Sequence, residues 1–170
     1  MQNVKIGILT AYLTYNDQVS KTLRPGIVSL TLIEFPDNWE NLLQDLMNST
    51  QQNPGFIIRF LKLLRDITNR YGYSARSDPL YKEIIFVCNQ THDYLMKLAA
   101  GIFPNCQKGD KNSLGLLRVL LKVFYNLNYQ DLHPKFEDNL KNWMDLLKGT
   151  IKMHHQSADD DIFKAKGAAL

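Results

Sequence analysis

Two adjacent histidines near the C-terminus are the residues of this chain that most resemble a metal-binding pair. His154 and His155 precede three consecutive aspartates at 159–161. Imidazole nitrogens and carboxylate oxygens both ligate zinc and related ions. Neighbouring side chains on a helix point away from each other, so we interpret this region as a solvated helix end. A small helical enzyme or metal protein that uses these histidines stays the rival hypothesis.

The other groups with catalytic potential are dispersed along the chain. We place His92, beside an aspartate, on the surface, and we expect His133, just before a proline, to cap a helix or pack at a turn. Cys88 and Cys106 belong to no CxxC pair, which argues against a zinc site and a disulfide scaffold and predicts a reducing compartment. Whether either thiol has a base beside it in space stays open.

No short catalytic or nucleotide-binding motif occurs in the sequence. A dinucleotide GxGxxG loop, a phosphate-binding Walker loop, a GxSxG elbow and an HExxH helix are all missing. An enzyme needs convergent polar groups, and this sequence offers few. We therefore predict a protein that is not an enzyme and that has no cofactor.

Charge and hydropathy exclude two further classes of partner. The net charge is only +3, and phosphate neutralisation needs a dense, continuous basic patch. The longest apolar runs are shorter than a membrane span, and no signal peptide opens the chain. We predict an intracellular, soluble protein that binds neither nucleic acid nor membrane. The one basic cluster, which we interpret as a solvated helix face, comprises Arg59, Lys62, Arg65, Arg70 and Arg76, with Asp66 inside it.

Apolar residues recur at helical spacing along nearly the whole chain, and no alternating strand pattern interrupts them. Proline and glycine mark most of the expected boundaries. The predicted helices cover about 4–13, 17–33, 36–47, 54–71, 80–100, 113–130 and 135–153.

Three boundary predictions depend on single prolines. Pro25 is expected to kink or split the second helix, because a proline inside a helix lacks the backbone N–H and clashes with the preceding turn. Pro36 is expected to start the third helix at the favoured first-turn position. The stretch 101–112, which contains Pro104, is predicted to be a loop.

The segment 116–127 forms an unusually apolar helix. Arg118, Lys122 and Asn126 are its only strongly polar residues, and they recur every four positions. On a helix they form one narrow stripe that is expected to stay wet. An internal helix in a stack of helical repeats is covered on nearly every other side, which would explain this composition.

Two segments also share a repeated theme. "PDNWENLLQDL" at 36–46 and "FEDNLKNWMDLL" at 136–147 both combine Asp-Asn, a tryptophan and leucines. Helices of this kind begin near 37, 80 and 134, the spacing of two-helix HEAT-type repeats. We interpret Trp39 and Trp143 as core residues, although interface anchors are the alternative.

The sequence thus predicts an all-α, HEAT/ARM-type helical-repeat solenoid of about seven helices in antiparallel pairs. Residues 1–155 would form the repeat segment, with three to four pairs of which one is incomplete. Residues 156–170 would form an acidic loop and tail that leads to the next repeat.

The segments "FPDNWENLLQDL" (35–46) and "KVFYNLNYQDLHPKFEDNLKNWMDLL" (122–147) resemble a known family. They are similar to exportin-2, the importin-α re-exporters or cellular apoptosis susceptibility proteins, within the importin-β-type karyopherins. The first motif is shared widely among karyopherins, and the second is much more specific. "RYGYSARSDPLYKEI" (70–84) fits the same alignment, and the resemblance spans roughly 16–155.

The resemblance implies a function as well as a fold. Such a receptor exports importin-α in complex with Ran-GTP, contacts nuclear pore proteins and shuttles between nucleus and cytoplasm. The chain would be a fragment from the N-terminal third of a longer receptor. The alternative is another importin-β-type karyopherin, or a HEAT-repeat scaffold without Ran dependence.

The resemblance also implies where partners bind. In this family the second helix of each unit lines the concave side, and by motif order these helices begin near Val4, Pro36, Pro79 and Pro134. Polar residues on them are the candidate protein contacts. These are Glu40, Gln44, Lys82, Glu83, Asp138, Lys141 and Asp145.

Overall fold

The computed structural model describes residues 2–153 and 167–168, with only the backbone of Gln2. Within these residues the chain is helical and contains no strand, which confirms the all-helical prediction. Two 3-10 turns, Pro54–Phe56 and Asn69–Gly72, accompany the longer helices. The α-helices are α1 Gln2–Thr14, α2 Asp17–Glu34, α3 Leu42–Gln52, α4 Ile57–Thr68, α5 Asp78–Gln107, α6 Lys111–Asn128, α7 Pro134–Asp138 and α8 Leu140–Ile151.

The chain divides into two compact units, with the boundary between Ile67 and Thr68. The first unit ties the end of α1 to α4 through polar contacts. The Arg59 guanidinium donates to the carbonyl oxygens of Tyr12 (3.2 Å) and Leu13, and the Tyr12 hydroxyl donates to the Arg59 carbonyl at 2.8 Å. These bonds satisfy carbonyl groups that the last turn of a helix leaves open.

The third helix begins at Leu42, so the predicted start at Pro36 is wrong. Residues 35–41 form turns, in which the Trp39 N–H donates to the Pro36 carbonyl at 3.2 Å. The Trp39 ring is buried, as predicted for a core residue. Asp45 is the acidic residue of the first helical turn. Burial of an aromatic side chain from a turn outweighs the local preference for a proline-led helix.

The second helix runs without a break from Asp17 to Glu34, so the predicted split at Pro25 is wrong. Proline leaves the carbonyl four residues earlier, here that of Lys21, without its helical hydrogen bond. Both Pro25 and Lys21 are exposed. The open carbonyl therefore faces solvent, which lowers the cost of the proline.

In the second unit α5 is longer than predicted, because it continues through Pro104 to Gln107. Ile102 and Cys106 are buried and extend the apolar face of the helix by two turns. The predicted loop at 101–112 is therefore wrong, and only 108–110 links α5 to α6. Gly109 has a φ of 81°, a conformation that favours glycine.

The apolar helix α6 is covered on most sides, as predicted. Leu117, Leu120 and Leu121 are fully buried. Asn126, however, is also buried, and its Nδ2 donates to Thr68 Oγ1 at 3.2 Å. The predicted solvent-exposed stripe therefore includes Arg118 and Lys122 but not Asn126. The exposed or half-buried residues on this side of the helix are Arg118, Lys122, Tyr125 and Tyr129.

The last predicted helix is divided in two at Asn139. Its backbone (φ −108°, ψ 15°) leaves the helical region between α7 and α8. The Asn139 side chain donates to the Lys135 carbonyl at 3.0 Å. Asparagine can replace a backbone donor in this way, which favours a break in the helix.

Two helical glycines of the second unit give a matched test of packing. A Cβ on Gly149 would lie 2.6 Å from Phe103 Cζ, whereas a Cβ on Gly101 would meet nothing within 4 Å. We expect Gly149→Ala to lower the free energy of unfolding by about 1 kcal/mol through overpacking. Gly101→Ala should raise it by about 0.5 kcal/mol through helix propensity. Urea denaturation measures both, and equal effects would contradict this packing.

Candidate interaction surfaces

The seven predicted contact residues differ in exposure. Glu83 is only 6% exposed, so the prediction that it lies on the surface is wrong. The six that lie on the surface are Glu40, Gln44, Lys82, Asp138, Lys141 and Asp145.

Glu83 is buried because it holds the segment before α5 in place. One carboxylate oxygen accepts from Arg70 Nη2, and the other accepts from the Tyr71 hydroxyl at 2.6 Å. Burial and the adjacent carboxylate raise the pKa of Tyr71 well above its ordinary value. Glu83 therefore acts in packing, and a partner cannot reach it.

In the first unit, Glu40 lines a cleft of about 540 Å³. Lys5 on its wall donates to Glu34 Oε2 and to the Asn38 carbonyl, both at 2.8 Å, so the ammonium charge is already neutralised. Burial raises the pKa of Asp45, which also lines the cleft. Sequence analysis missed Asp45, although it adjoins Gln44. The remaining lining residues are Ile6, Trp39 and Asn41.

In the second unit, Asp145 lies at a mainly apolar groove of about 490 Å³. Lys141 lies one turn earlier on α8. Lys82 is at the start of α5, roughly 20 Å along the helix from Met96 in the groove, at 1.5 Å per residue. The structure therefore does not bring Lys82 and Asp145 together. The other lining residues are Ala99, Ala100, Phe103, Pro104, Asn142 and Leu146.

His92 is buried, so its predicted surface position is wrong. Its Nδ1 lies 2.9 Å from Asp93 Oδ1, and the Trp143 indole N–H points to its Nε2 at 3.4 Å. Its ring packs edge-on against Phe136, with centroids 4.8 Å apart, and Trp143 stacks on Phe124 at 4.6 Å. The histidine thus completes an aromatic cluster, and Trp143 is a core residue as predicted.

His133 caps α7, as expected, because its Nδ1 accepts from the Lys135 N–H at 3.2 Å. Burial lowers the pKa of His133. Among the described residues no group of three or more His, Cys, Asp or Glu side chains is arranged to hold a metal. The predicted solvated end at His154, His155 and 159–161 lies outside the described residues.

Most guanidinium groups of the basic cluster contact protein atoms. Arg59 also reaches Asp17 at 3.2 Å, and Arg65 pairs with Asp66 at 2.6 Å. Arg76 donates to the Gln130 carbonyl at 2.6 Å. Each of these groups thus has a partner within its own unit. No helix in the described part of the chain is long and apolar enough to cross a bilayer.

Both cysteines are buried free thiols, and burial raises the pKa of Cys88 to about 12 and that of Cys106 to about 11. Because the thiolate is the reactive form, we expect iodoacetamide at pH 8 to alkylate the folded chain at least about 100-fold more slowly than the chain in urea. Above pH 9 the unfolded chain loses these protons first, so stability should fall as pH rises. Alkylation as fast as that of glutathione would contradict the burial.

Comparison with known proteins identifies the family. The sequence model of the Cse1 family matches residues 67–166, more than half of the chain. The chain belongs to the Cse1 family. A model described as exportin 1-like protein also matches residues 16–114, so this Cse1 member resembles a second exportin class over that range.

Named relatives of this Cse1 chain are exportin-2 proteins. Exportin-2 of Danio rerio is 32% identical over 148 residues, which cover 83% of the chain and 15% of the relative. Exportin-2 of Homo sapiens is 30% identical over 149 residues, with the same coverage of 83% and 15%. The chain therefore spans about 15% of the length of these relatives.

A solved structure carries the same fold. The exportin Cse1 in its cargo-free, cytoplasmic state superposes with a TM-score of 0.86 at 22% identity, and covers 99% of this chain and 20% of that protein. The helical-repeat architecture predicted from the sequence is thereby confirmed for this Cse1 chain.

Proposed function

We propose that this Cse1-family chain is part of a nuclear export receptor that carries importin-α out of the nucleus together with Ran-GTP. It would shuttle between nucleus and cytoplasm and contact nuclear pore proteins on the way. The observation that carries the proposal is the Cse1 match over 67–166, together with exportin-2 relatives along most of the chain.

The chemistry of the chain supports a role in binding rather than catalysis. Two of its buried titratable groups contact other elements of the fold, Glu83 through Arg70 and His92 through Trp143. The cysteine thiols are held in their unreactive form. Helical-repeat proteins bind through extended surfaces, and here the nucleotide would be held by Ran.

The exposed polar residues of the predicted set are the proposed contacts. Glu40 and Gln44 present a carboxylate and an amide in the first unit, and Lys82 presents an ammonium group in the second. We add Asp45 to this set, because it lines the same cleft as Glu40 and a cationic partner group would favour its charged form. The remaining members are Asp138, Lys141 and Asp145.

A chimera tests the proposal within a complete receptor. The segment of zebrafish exportin-2 that aligns with this chain is replaced by this chain, and the product is immobilised. We expect it to capture importin-α in the presence of Ran loaded with a non-hydrolysable GTP analogue, and not with Ran-GDP. Circular dichroism and thermal unfolding confirm that the chimera is folded.

Two controls make the result decisive. Unmodified zebrafish exportin-2 gives the reference, and a chimera carrying Glu40→Lys and Asp45→Lys tests the first-unit contacts. A folded chimera that captures no importin-α would contradict the proposal. Capture that ignores the nucleotide would favour another karyopherin type or a scaffold, an alternative supported by the exportin 1-like match over 16–114.

A further inference from the structure

One face of α6 lies outside the core and outside the predicted contact set. Arg118, Lys122, Tyr125 and Tyr129 recur every three or four residues, so they share one side of the helix. We name these four residues the α6 stripe. Tyr125 is 58% exposed and Tyr129 is 52% exposed, so a partner can reach both rings.

The aromatic end of the α6 stripe is held in place. The rings of Tyr125 and Tyr129 meet edge to face, with centroids 5.4 Å apart. Tyr129 also lies close to Gly72, where a Cβ would be 3.9 Å from its Cγ. The Gln130 side chain donates to the Tyr71 carbonyl at 2.7 Å and fixes that segment beside the helix end. Two pre-positioned tyrosines lose little entropy when a partner binds.

The basic end of the α6 stripe consists of Arg118 and Lys122. In the described part of the chain no carboxylate lies within salt-bridge distance of Arg118 or Lys122. Arg70 of the same unit, by contrast, is paired with Glu83, and Lys135 Nζ lies 3.7 Å from Asp93 Oδ2. The stripe therefore presents two unpaired positive charges followed by two amphipathic rings, a pattern that complements an acidic segment with an apolar end.

The length of the stripe limits the size of its occupant. Arg118 and Tyr129 are 11 residues apart, or about 16 Å along a helix at 1.5 Å per residue. An extended peptide of about five residues spans this distance. Two cations do not form the dense patch that a nucleic-acid backbone requires, so the charge favours a protein segment.

We propose that the α6 stripe is a docking surface for an acidic segment of a protein partner. Carboxylates of that segment pair with Arg118 and Lys122, and an apolar or aromatic side chain packs on Tyr125 and Tyr129. This docking surface is separate from the proposed export function, because neither the surface nor the chemistry of its partner depends on Ran. Failure of the docking proposal is therefore distinct from failure of the proposed function.

Fluorescence polarisation with defined peptides tests the proposal on the whole chain. The probe is a labelled peptide with glutamates in its first half and Phe and Leu in its second. We expect saturable binding that weakens with salt. Joint Arg118→Glu and Lys122→Glu should reduce affinity at least about tenfold, and so should Tyr125→Ala. Lys148→Glu and Tyr81→Ala, which change exposed residues elsewhere in the same unit, should leave affinity unchanged.

Three results would overturn the proposal. The first is no binding by the folded chain. The second is peptide affinity that the double charge reversal leaves unchanged, or that Lys148→Glu lowers as much as the double charge reversal does. The third is displacement of the peptide by single-stranded RNA at lower concentration, which would make the stripe a nucleic-acid surface. Lys122→Ala, a milder change at an exposed position, provides the same test if the double variant fails to fold.

Discussion

Replacing Trp143 by alanine is expected to lower the free energy of unfolding by about 4 kcal/mol. The indole is fully buried, stacks on Phe124 and meets His92 and Phe136. Its removal leaves a cavity among three side chains on three different helices. Urea denaturation, monitored by circular dichroism, measures the change.

The neighbouring Met144 provides the control, because it is 39% exposed on the same helix. Met144→Ala should change the free energy by less than about 0.5 kcal/mol. If Trp143→Ala does not fold, Trp143→Phe keeps part of the stacking and should be destabilised by roughly half as much. Equal, small effects at Trp143 and Met144 would contradict the aromatic cluster.

Replacing Glu83 by glutamine is expected to lower the free energy of unfolding by about 3 kcal/mol. The change keeps the size of the side chain but leaves the Arg70 guanidinium without its counter-charge in a mostly buried site. The hydrogen bond from the Tyr71 hydroxyl also loses a charged acceptor. Chemical denaturation at pH 7 measures the loss.

Glu40→Gln is the matched control, because it makes the same change at an exposed position. We expect an effect below about 0.5 kcal/mol there. If Glu83→Gln lowers the free energy of unfolding no more than Glu40→Gln does, the proposed packing role of Glu83 is wrong. The Arg70 contact would then contribute nothing to folding.

The prolines show which helix boundaries can be predicted from local sequence. Pro54, Pro79 and Pro134 each lie in the first turn of a helix or 3-10 turn, within one residue of the predicted helix starts. At that position the missing N–H costs nothing. Pro25 was predicted to kink or split a helix and Pro104 to lie in a loop, but both lie inside helices, because packing of the flanking apolar residues outweighs the local cost.

The buried polar residues show what the sequence alone could not predict. Glu83, His92 and Asn126 look like surface residues in a helical pattern, yet each is buried. His92 and Asn126 have partners, Trp143 and Thr68, that lie more than 50 positions away in the chain. Helical periodicity predicts which face of a helix is apolar, but it cannot predict which polar side chains are buried on that face.

The candidate surface was predictable only in part. The motifs that carry the family resemblance combine core residues such as Trp143 and Phe136 with exposed residues such as Tyr125 and Tyr129, so the resemblance alone does not say which of them contact a partner. Asp45 and the α6 stripe could not be predicted as candidate contacts from the sequence, because they are recognised by their exposure and ion pairing in the structure.

The most direct test of the central claim is the affinity of the exportin-2 chimera for importin-α in the two nucleotide states of Ran. Isothermal titration is carried out at saturating Ran-GTP or Ran-GDP, with unmodified zebrafish exportin-2 as reference. We predict binding at least about tenfold tighter with Ran-GTP, a coupling free energy of about 1.4 kcal/mol or more. Equal affinities for the folded chimera, where the reference protein distinguishes the two states, would contradict it.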